Sequence, residues 1–510
     1  MLDEIAAWDH RATKDEAKYF FASPNLEQEI QGLLTGKKCF VVGAKGMGKS
    51  AVLERIKSLC GENAIILTNE FSPANLNDFC AQTANQQVRV DDLQHLWKYY
   101  IAAKTCLALA EKRLGPLRRF DLAAKYGLSA HRSWWQRIWR AWPKFKRIDI
   151  GGYGGVEFQT IDAPVDGKPS GLRFEAPKDS RSHAFLWSVQ SDIAIDDAIK
   201  AQTLSKTKIF ILFDEIDQAL SQARDQQTFS DYLATVGALI SSVYSLRKKF
   251  EDAGAQIYPI VAIRSDIYSY ITHADKNALN AKMVKLAYND ESIMRELIGH
   301  RLATALTNAG IEFDRTSFSD LWKKTVNDTR PLDDQDSIYG VMRRRTLNRP
   351  RDYVQFLKLA ASKQRDLNPT LVRISTAAVN AAGGEFSAHF LQEFRDELSF
   401  RYPFADRLID VFKIVCPSQN ANQFAFDTFV AACIDRGIDK DRGFLIDLAQ
   451  YLFVISVFGT QQRVGYNTFS KLDFRYRNDN LNWPTKLSSD DVRFGLHTGF
   501  LRALFADEPI

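Results

Sequence analysis

The chain has 510 residues, of which 45% are hydrophobic and 25% charged, with a formal net charge of +5. That length exceeds a single core and, at about 150 residues per domain, implies three or four units. The composition is that of an ordinary soluble globular protein, and so small a net charge makes local clusters, not the total, the guide to partners. Six cysteines, at 39, 60, 80, 106, 416 and 433, stand far apart with no C-x-x-C pair. This argues against a zinc site or a disulfide framework and for a reducing compartment. The stretch MLDEIAAWDHRATKDEAKYFF is charged and lacks an apolar h-region, so no signal peptide is expected. No apolar run reaches the roughly 18 residues that span a bilayer. The expectation is a cytoplasmic protein with no membrane partner.

Residues 1–36 read as a helical lead-in to a nucleotide-binding core at 37–288. KKCFVVGA reads as a short buried strand and SAVLERIKSLC as a helix. Between them GAKGMGKS matches G-x-x-x-x-G-K-S. Glycines let such a loop curl its N–H groups toward phosphate oxygens, and the helix N-terminus behind it favours an anion. The candidate cradle is Gly43, Ala44, Lys45, Gly46, Met47, Gly48, Lys49, Ser50 and Ala51. Lys49 would reach the β/γ-phosphates and the Ser50 hydroxyl would bind Mg²⁺. The bland alternative is a glycine-rich turn.

NAIILTNEF reads as the second strand, and an insertion at 75–190 follows it. The first part, 75–115, looks helical. Lys112, Arg113, Arg118, Arg119, Lys125, Arg132, Arg137, Arg140, Lys144, Lys146 and Arg147 then face only Glu111 and Asp121, with Trp134, Trp135, Trp139 and Trp142 interleaved. Arginine and lysine with aromatics suit a nucleic-acid backbone or single strand. The same tryptophans, with Ile138, also fit the buried stripe of an amphipathic helix. Ala123 and Gly127 have the spacing of a helix-turn-helix, but Ser133 and Gln136 stand where apolar residues belong. A basic, tryptophan-rich helix could also lie on a membrane surface. FKRIDI and VEFQTI around GGYGG read as a β-hairpin at 145–160. APVDGKPSGLRFEAPKDSRS reads as a loop returning to a helix.

KIFILFDEID follows, with Ile209–Phe213 a strand buried on both faces. Asp214 at its end would hold the metal, and Glu215 is placed to activate water. An acidic helix N-terminus would look the same. The next apolar run, Ile257–Ile263, ends in Arg264-Ser265-Asp266; Arg264 there can report a γ-phosphate or be a simple strand-end charge. Tyr288–Leu306 reads as a helix opening an α-helical lid at 289–384. NRPRDYVQFLKLA puts Asn348, Pro350 and Arg351 at another helix start. After AAGGEFS the stretch 385–510 reads as a separate helical unit, with helices over FADRLIDVFKIV and FLIDLAQYLFVISVFG. KLDFRYR alternates Leu472, Phe474 and Tyr476 as a half-exposed strand should. His497 among apolar neighbours reads as a packed residue. Arg301 and Arg343–Arg345 read as solvated charges or as arginine fingers for a neighbouring subunit.

The order of these motifs resembles the additional-strand P-loop class, which holds AAA+, initiator and STAND ATPases. With DEID and RPRD the chain resembles bacterial ATPases found near defence and mobile-element genes. The resemblance implies an α/β parallel-sheet core with the Arg264 strand between the cradle strand and the acidic strand. It also implies a helical lid and a C-terminal winged-helix-like α+β domain, which relatives use to bind DNA or hold neighbours. Arg351 matches the second sensor of the class and Arg264 the sensor of STAND proteins. The cofactors implied are ATP and Mg²⁺. The activity implied is an Mg-dependent ATPase acting as a regulatory switch in anti-phage defence, as a homo-oligomer with an effector protein partner. The alternative is a DNA- or RNA-handling ATPase of initiator or transposition-helper type, with nucleic acid bound through 112–147 or the C-terminal domain. A third reading is a non-hydrolysing scaffold that keeps nucleotide for stability. The repeat arm of many STAND proteins is absent from the sequence.

Overall fold

The apolar runs become one parallel sheet in the computed structural model. It describes residues 1–9, 19–61, 64–68, 90–111, 147–149, 173–175, 181–216, 226–271, 275–399, 402, 404–418, 421–439, 441–465, 468–478 and 481–505. The four interleaved tryptophans, the helix-turn-helix spacing and nearly all of the basic stretch lie outside the described residues.

The first strands in chain order are β1 (Phe40–Gly43), β2 (Ala64–Thr68), β3 (Arg147–Asp149), β4 (Arg173–Glu175), β5 (Lys208–Phe213), β6 (Ile257–Arg264) and β7 (Met283–Leu286). Five of them form the main sheet, in the order β2-β5-β6-β1-β7, and all pair in parallel. β6 thus lies between the cradle strand and the acidic strand, as the resemblance implies. Continuous apolar runs form these strands because both faces are covered. Val41, Leu212, Ile260 and Val284 pack on one face with the helices Pro24–Leu34 and Lys49–Cys60. Val42, Ile211, Phe213 and Val261 pack on the other with Val90–Glu111, Arg181–Ser205 and Gln226–Asp252.

Two of these helices fall in, or lead out of, the stretch expected as an insertion. Val90–Glu111 and Arg181–Ser205 are a layer of the core. Trp97 Nε1 donates to Thr235 O at 3.1 Å, and Ser242 Oγ to Gln94 O at 2.9 Å. The hairpin is also revised. β3 pairs antiparallel with β4, inside the stretch expected as a loop, in a register that sets Arg147 opposite Glu175 and Asp149 opposite Arg173. VEFQTI lies outside the described residues.

Beyond β7 come the helices Glu291–Asn308, Phe318–Thr325, Ile338–Arg345 and Pro350–Leu367. Next is one long helix, Thr376–Ser399, that runs unbroken through AAGGEFS. The two glycines read as a boundary are helix interior. At Gly383 a Cβ would meet the guanidinium tips of Arg345 and Arg502, the far ends of flexible side chains. The last part holds Ala405–Val415, β8 (Gln423–Phe424), Phe426–Asp435, Arg442–Val454, β9 (Phe458–Gly465), β10 (Thr468–Phe469), β11 (Val492–Leu496) and Thr498–Leu504. The antiparallel sheet order is β10-β9-β11-β8. KLDFRYR is a turn with one bridge, Thr460 to Asp473, instead of a strand. Phe474 fills the space over Gly459, and Tyr476 N donates to Ser456 Oγ at 3.0 Å, which holds the segment against the sheet as a turn.

Candidate functional site

Register brings the candidate residues to one edge. Gly43 is paired with Arg264 and with Leu286, and Phe213 with Val261. The cradle, Asp214 and Arg264 therefore leave the sheet together at its carboxyl edge, where parallel α/β sheets hold ligands. The loop has the curl its glycines permit: Gly46 has φ +81° and Gly48 φ +87°. Gly48 is the N-cap of Lys49–Cys60, and Lys49 and Ser50 open that helix with Ala51 behind. Lys49 Nζ lies back along the loop, donating to Gly43 O at 3.2 Å and Ala44 O at 3.1 Å. Met47 is buried as an anchor, while Ala44, Lys45, Gly46 and Gly48 are partly open.

Asp214 and Glu215 follow β5 directly. Asp214 Oδ1 accepts from Glu215 N at 2.9 Å. Glu215 has φ +54° and an exposed side chain. A non-glycine residue in the left-handed region carries strain, which marks functional turns more often than idle ones.

Arg351 reaches the cradle from the other side. Asn348 takes φ +50°, Arg349 is the N-cap and Pro350 the first residue of Pro350–Leu367. This turn is fixed by Asn348, whose Nδ2 donates to Tyr288 O at 3.4 Å and whose Oδ1 accepts from Tyr353 Oη at 3.2 Å. Arg351 N donates to Gly46 O at 3.4 Å. A Cβ on Gly46 would lie 3.3 Å from Arg351 Nε and 3.5 Å from Arg349 Cδ.

Both arginines have partners that the sequence does not announce. Arg264 is buried and forks onto Asp266, Nε to Oδ1 at 3.0 Å and Nη2 to Oδ2 at 2.6 Å, and also pairs with Glu397. Arg351 pairs with Glu393. Burial opposes the charged form of Asp266, but Arg264, its hydrogen bonds and Lys49 hold the carboxyl below its usual range. Tyr288 is another residue the sequence reading passed over. Its hydroxyl is 3.8 Å from where a Gly48 Cβ would stand, and burial pushes it up to about 12.

Other candidates are engaged elsewhere. Arg301 lies over Trp8 and Tyr19, ring centroids at 5.7 and 5.0 Å. Arg343 pairs with Glu291, and Arg344 with Asp336 at 3.6 Å. His497 caps Thr498–Leu504 by accepting from Gly499 N at 3.1 Å, and its Nε2 lies 3.3 Å from Tyr476 Oη. Full burial and the nearby Arg477 and Arg349 hold it well below the usual histidine range, so it is neutral. No helix among the described residues is long and apolar enough to cross a membrane.

Residues 292–395 match the family of the FunZ-associated C-terminal helical domain. That match takes in the helices after β7 and most of Thr376–Ser399, Glu393 included. No curated protein matches the chain. Among solved structures the chain is similar to the crystal structure of Cdc6p from Pyrobaculum aerophilum, at 11% identity over 97% of both chains, with a TM-score of 0.32.

Proposed function

We propose that this chain binds and hydrolyses ATP at the cradle and acts as a regulatory switch, coupling nucleotide state to assembly or to an effector protein. The observation that carries the reading is the convergence on one sheet edge. The curled loop, the strained Asp214-Glu215 turn and Arg264 meet there, with Arg351 bonded to the loop apex.

The residues fit a nucleotide with Mg²⁺. Two left-handed glycines put no side chain of the loop's own where phosphate would approach. Lys49, now on the loop's own carbonyls, can exchange them for phosphate oxygens. Ser50 and Asp214 would hold Mg²⁺, which when bound neutralises charge on the phosphates. Glu215, exposed beside them, orients the attacking water and takes its proton. Arg264 and Arg351 stabilise charge at the terminal phosphate. Helices over 289–384 are the lid. The unit after it, helices with the four-stranded β8–β11 sheet, we read as winged-helix-like. The FunZ-associated description of 292–395 supports placing the chain beside a partner, which agrees with the defence role implied by DEID and RPRD. The DNA- or RNA-handling alternative is favoured by the basic composition of 112–147.

The test is Mg²⁺-dependent ATP hydrolysis and particle mass together, with and without DNA and RNA. Lys49→Ala is expected to lose nucleotide binding. Glu215→Gln is expected to bind ATP, to lose hydrolysis at least 100-fold, and to lock a larger ATP-bound assembly. Hydrolysis unchanged in both variants rules out this site. Stimulation by nucleic acid, weakening steeply with salt, selects the alternative.

A further inference from the structure

One helix restrains both arginines of the site. Glu393 and Glu397 lie one turn apart on Thr376–Ser399, so their carboxylates leave the same face. Glu393 takes Arg351, and Glu397 takes Arg264 beside Asp266. The side chains of Arg264 and Glu397 are 5% and 8% exposed, and those of Arg351 and Glu393 18% and 17%, so neither pair is a screened surface contact. Glu393 stands in a strongly positive place. Burial opposes its charge, yet Arg351, Lys45 of the cradle, Arg349 and His389 together hold its carboxyl below the usual glutamate range. His389, one turn before it, lies 3.9 Å away. A carboxylate held by the cradle's own lysine and two arginines occupies ground that suits an incoming anion.

The rest of the helix ties that face to the last part of the chain. Phe386, Phe390 and Phe394 repeat every fourth residue. Phe386 packs on Phe356 at 4.9 Å, Phe390 on Phe500 at 4.8 Å and Phe394 on Phe412 at 5.7 Å. Both glutamates, with Arg349, Phe390 and Phe500, line a small pocket of about 10 Å³.

We propose that Glu393 and Glu397 are an internal latch: they hold Arg351 and Arg264 in the nucleotide-free protein, and the terminal phosphate of ATP competes with them for these arginines. The inference rests on the nucleotide reading above and adds how that site is regulated. ATP brings more negative charge than ADP to a place already held by carboxylates, and both cannot be paired by the same guanidiniums. Binding ATP releases the latch, and Thr376–Ser399 moves with the aromatic residues packed on it. The helix is thus the two-state element that both sites bias.

The test compares ATP and ADP affinity, with hydrogen exchange across 376–399, in the wild type, Glu393→Gln, the double variant Glu393→Gln/Glu397→Gln, and Lys49→Ala. Gln keeps the shape and an acceptor oxygen and removes the charge. The latch predicts that the double variant binds ATP at least tenfold tighter and ADP changed less than threefold. It also predicts faster exchange in 376–399 without nucleotide. Glu393→Gln alone, on the more exposed pair, is expected to show the same direction at smaller size and serves where the double variant is unstable. An unchanged ATP-to-ADP preference overturns the latch. So does a loss of ATP affinity, which would make the glutamates positioning residues that present the arginines. Lys49→Ala separates the two levels: nucleotide binding undiminished there overturns the site itself, whereas its loss there with no shift in the Gln variants overturns the latch alone.

Discussion

Glu215 holds a backbone conformation that an L side chain adopts at a cost. Its φ is +54°, just past the end of β5, and its N–H donates to Asp214 Oδ1. A left-handed non-glycine residue costs on the order of 1–2 kcal/mol. Such strain clusters at functional sites, and Glu215 stands directly after Asp214 at the end of the acidic strand. Glu215→Gly is therefore expected to raise unfolding stability by about 1 kcal/mol while hydrolysis falls as far as in Glu215→Gln. Urea midpoints and turnover measured on the same preparations check this. A Gly variant less stable than wild type would mean that the side chain supports the fold, and the strain would lose its functional meaning. At this scale much of the candidate site is legible in sequence, because GAKGMGKS and Asp214-Glu215 are short and local. Arg264 and Arg351 are legible as positions, but not as paired groups. Glu397 is 133 residues from Arg264, and no local pattern encodes that separation.

Helices and strands differ in how openly the sequence shows them. Ile209–Phe213 and Ile257–Ile263 are visible because burial on both faces leaves an unbroken apolar run. AAGGEFS misleads because glycine is normally a helix breaker, whereas here the buried face of Ala378, Ala382, Phe386 and Phe390 carries the helix through it. KLDFRYR misleads because its alternation reflects Phe474 and Tyr476 packing inward from a turn. The phenylalanine repeat at 386, 390 and 394 is a readable signal, and Glu393 stands directly beside it. Two glycines then predict opposite outcomes from the same substitution. At Gly383 a Cβ meets only flexible side-chain ends, and Arg345 Nη1 is buried there without a hydrogen-bond partner among the described residues. Burial and the neighbouring Arg502 and Arg344 already lower that guanidinium to about 10. Moving it aside loses little, and Arg502, whose Nη1 donates to Asn380 O at 2.8 Å, can shift along its flexible stem, so Gly383→Ala should stabilise by up to about 1 kcal/mol through helix propensity. At Gly340 a Cβ meets backbone oxygens, Asp334 O at 2.3 Å and Gln335 O at 2.6 Å, which cannot swing away. Gly340→Ala should cost about 1–3 kcal/mol. Denaturant midpoints of the two variants, moving in opposite directions from wild type, are the check.

A single apolar cluster runs through much of the molecule. It joins Ile5 and Trp8, the cradle helix through Val52 and Ile56, Met294 and Tyr353 after β7, Phe386 to Phe394, and the last sheet through Phe458 and Phe494. The expectation of a separate unit at 385–510 predicts that this end unfolds by itself. The shared core predicts that it does not, because Thr376–Ser399 contributes side chains to both ends. Phe390 decides between them: it is 4% exposed and packs on Phe500, Phe386 and His497. Phe390→Ala is expected to cost about 3–5 kcal/mol and to lower one transition in which helix content and tryptophan fluorescence are lost together. The wild type should show the same coincidence of probes, and nucleotide should raise that one midpoint. Two separated transitions, with only the later part of the chain weakened by Phe390→Ala, would instead make 385–510 an independent body. The proposed coupling of a nucleotide at Gly46 to the far sheet would then have to pass through the Glu393 and Glu397 pairs alone, without support from a common core.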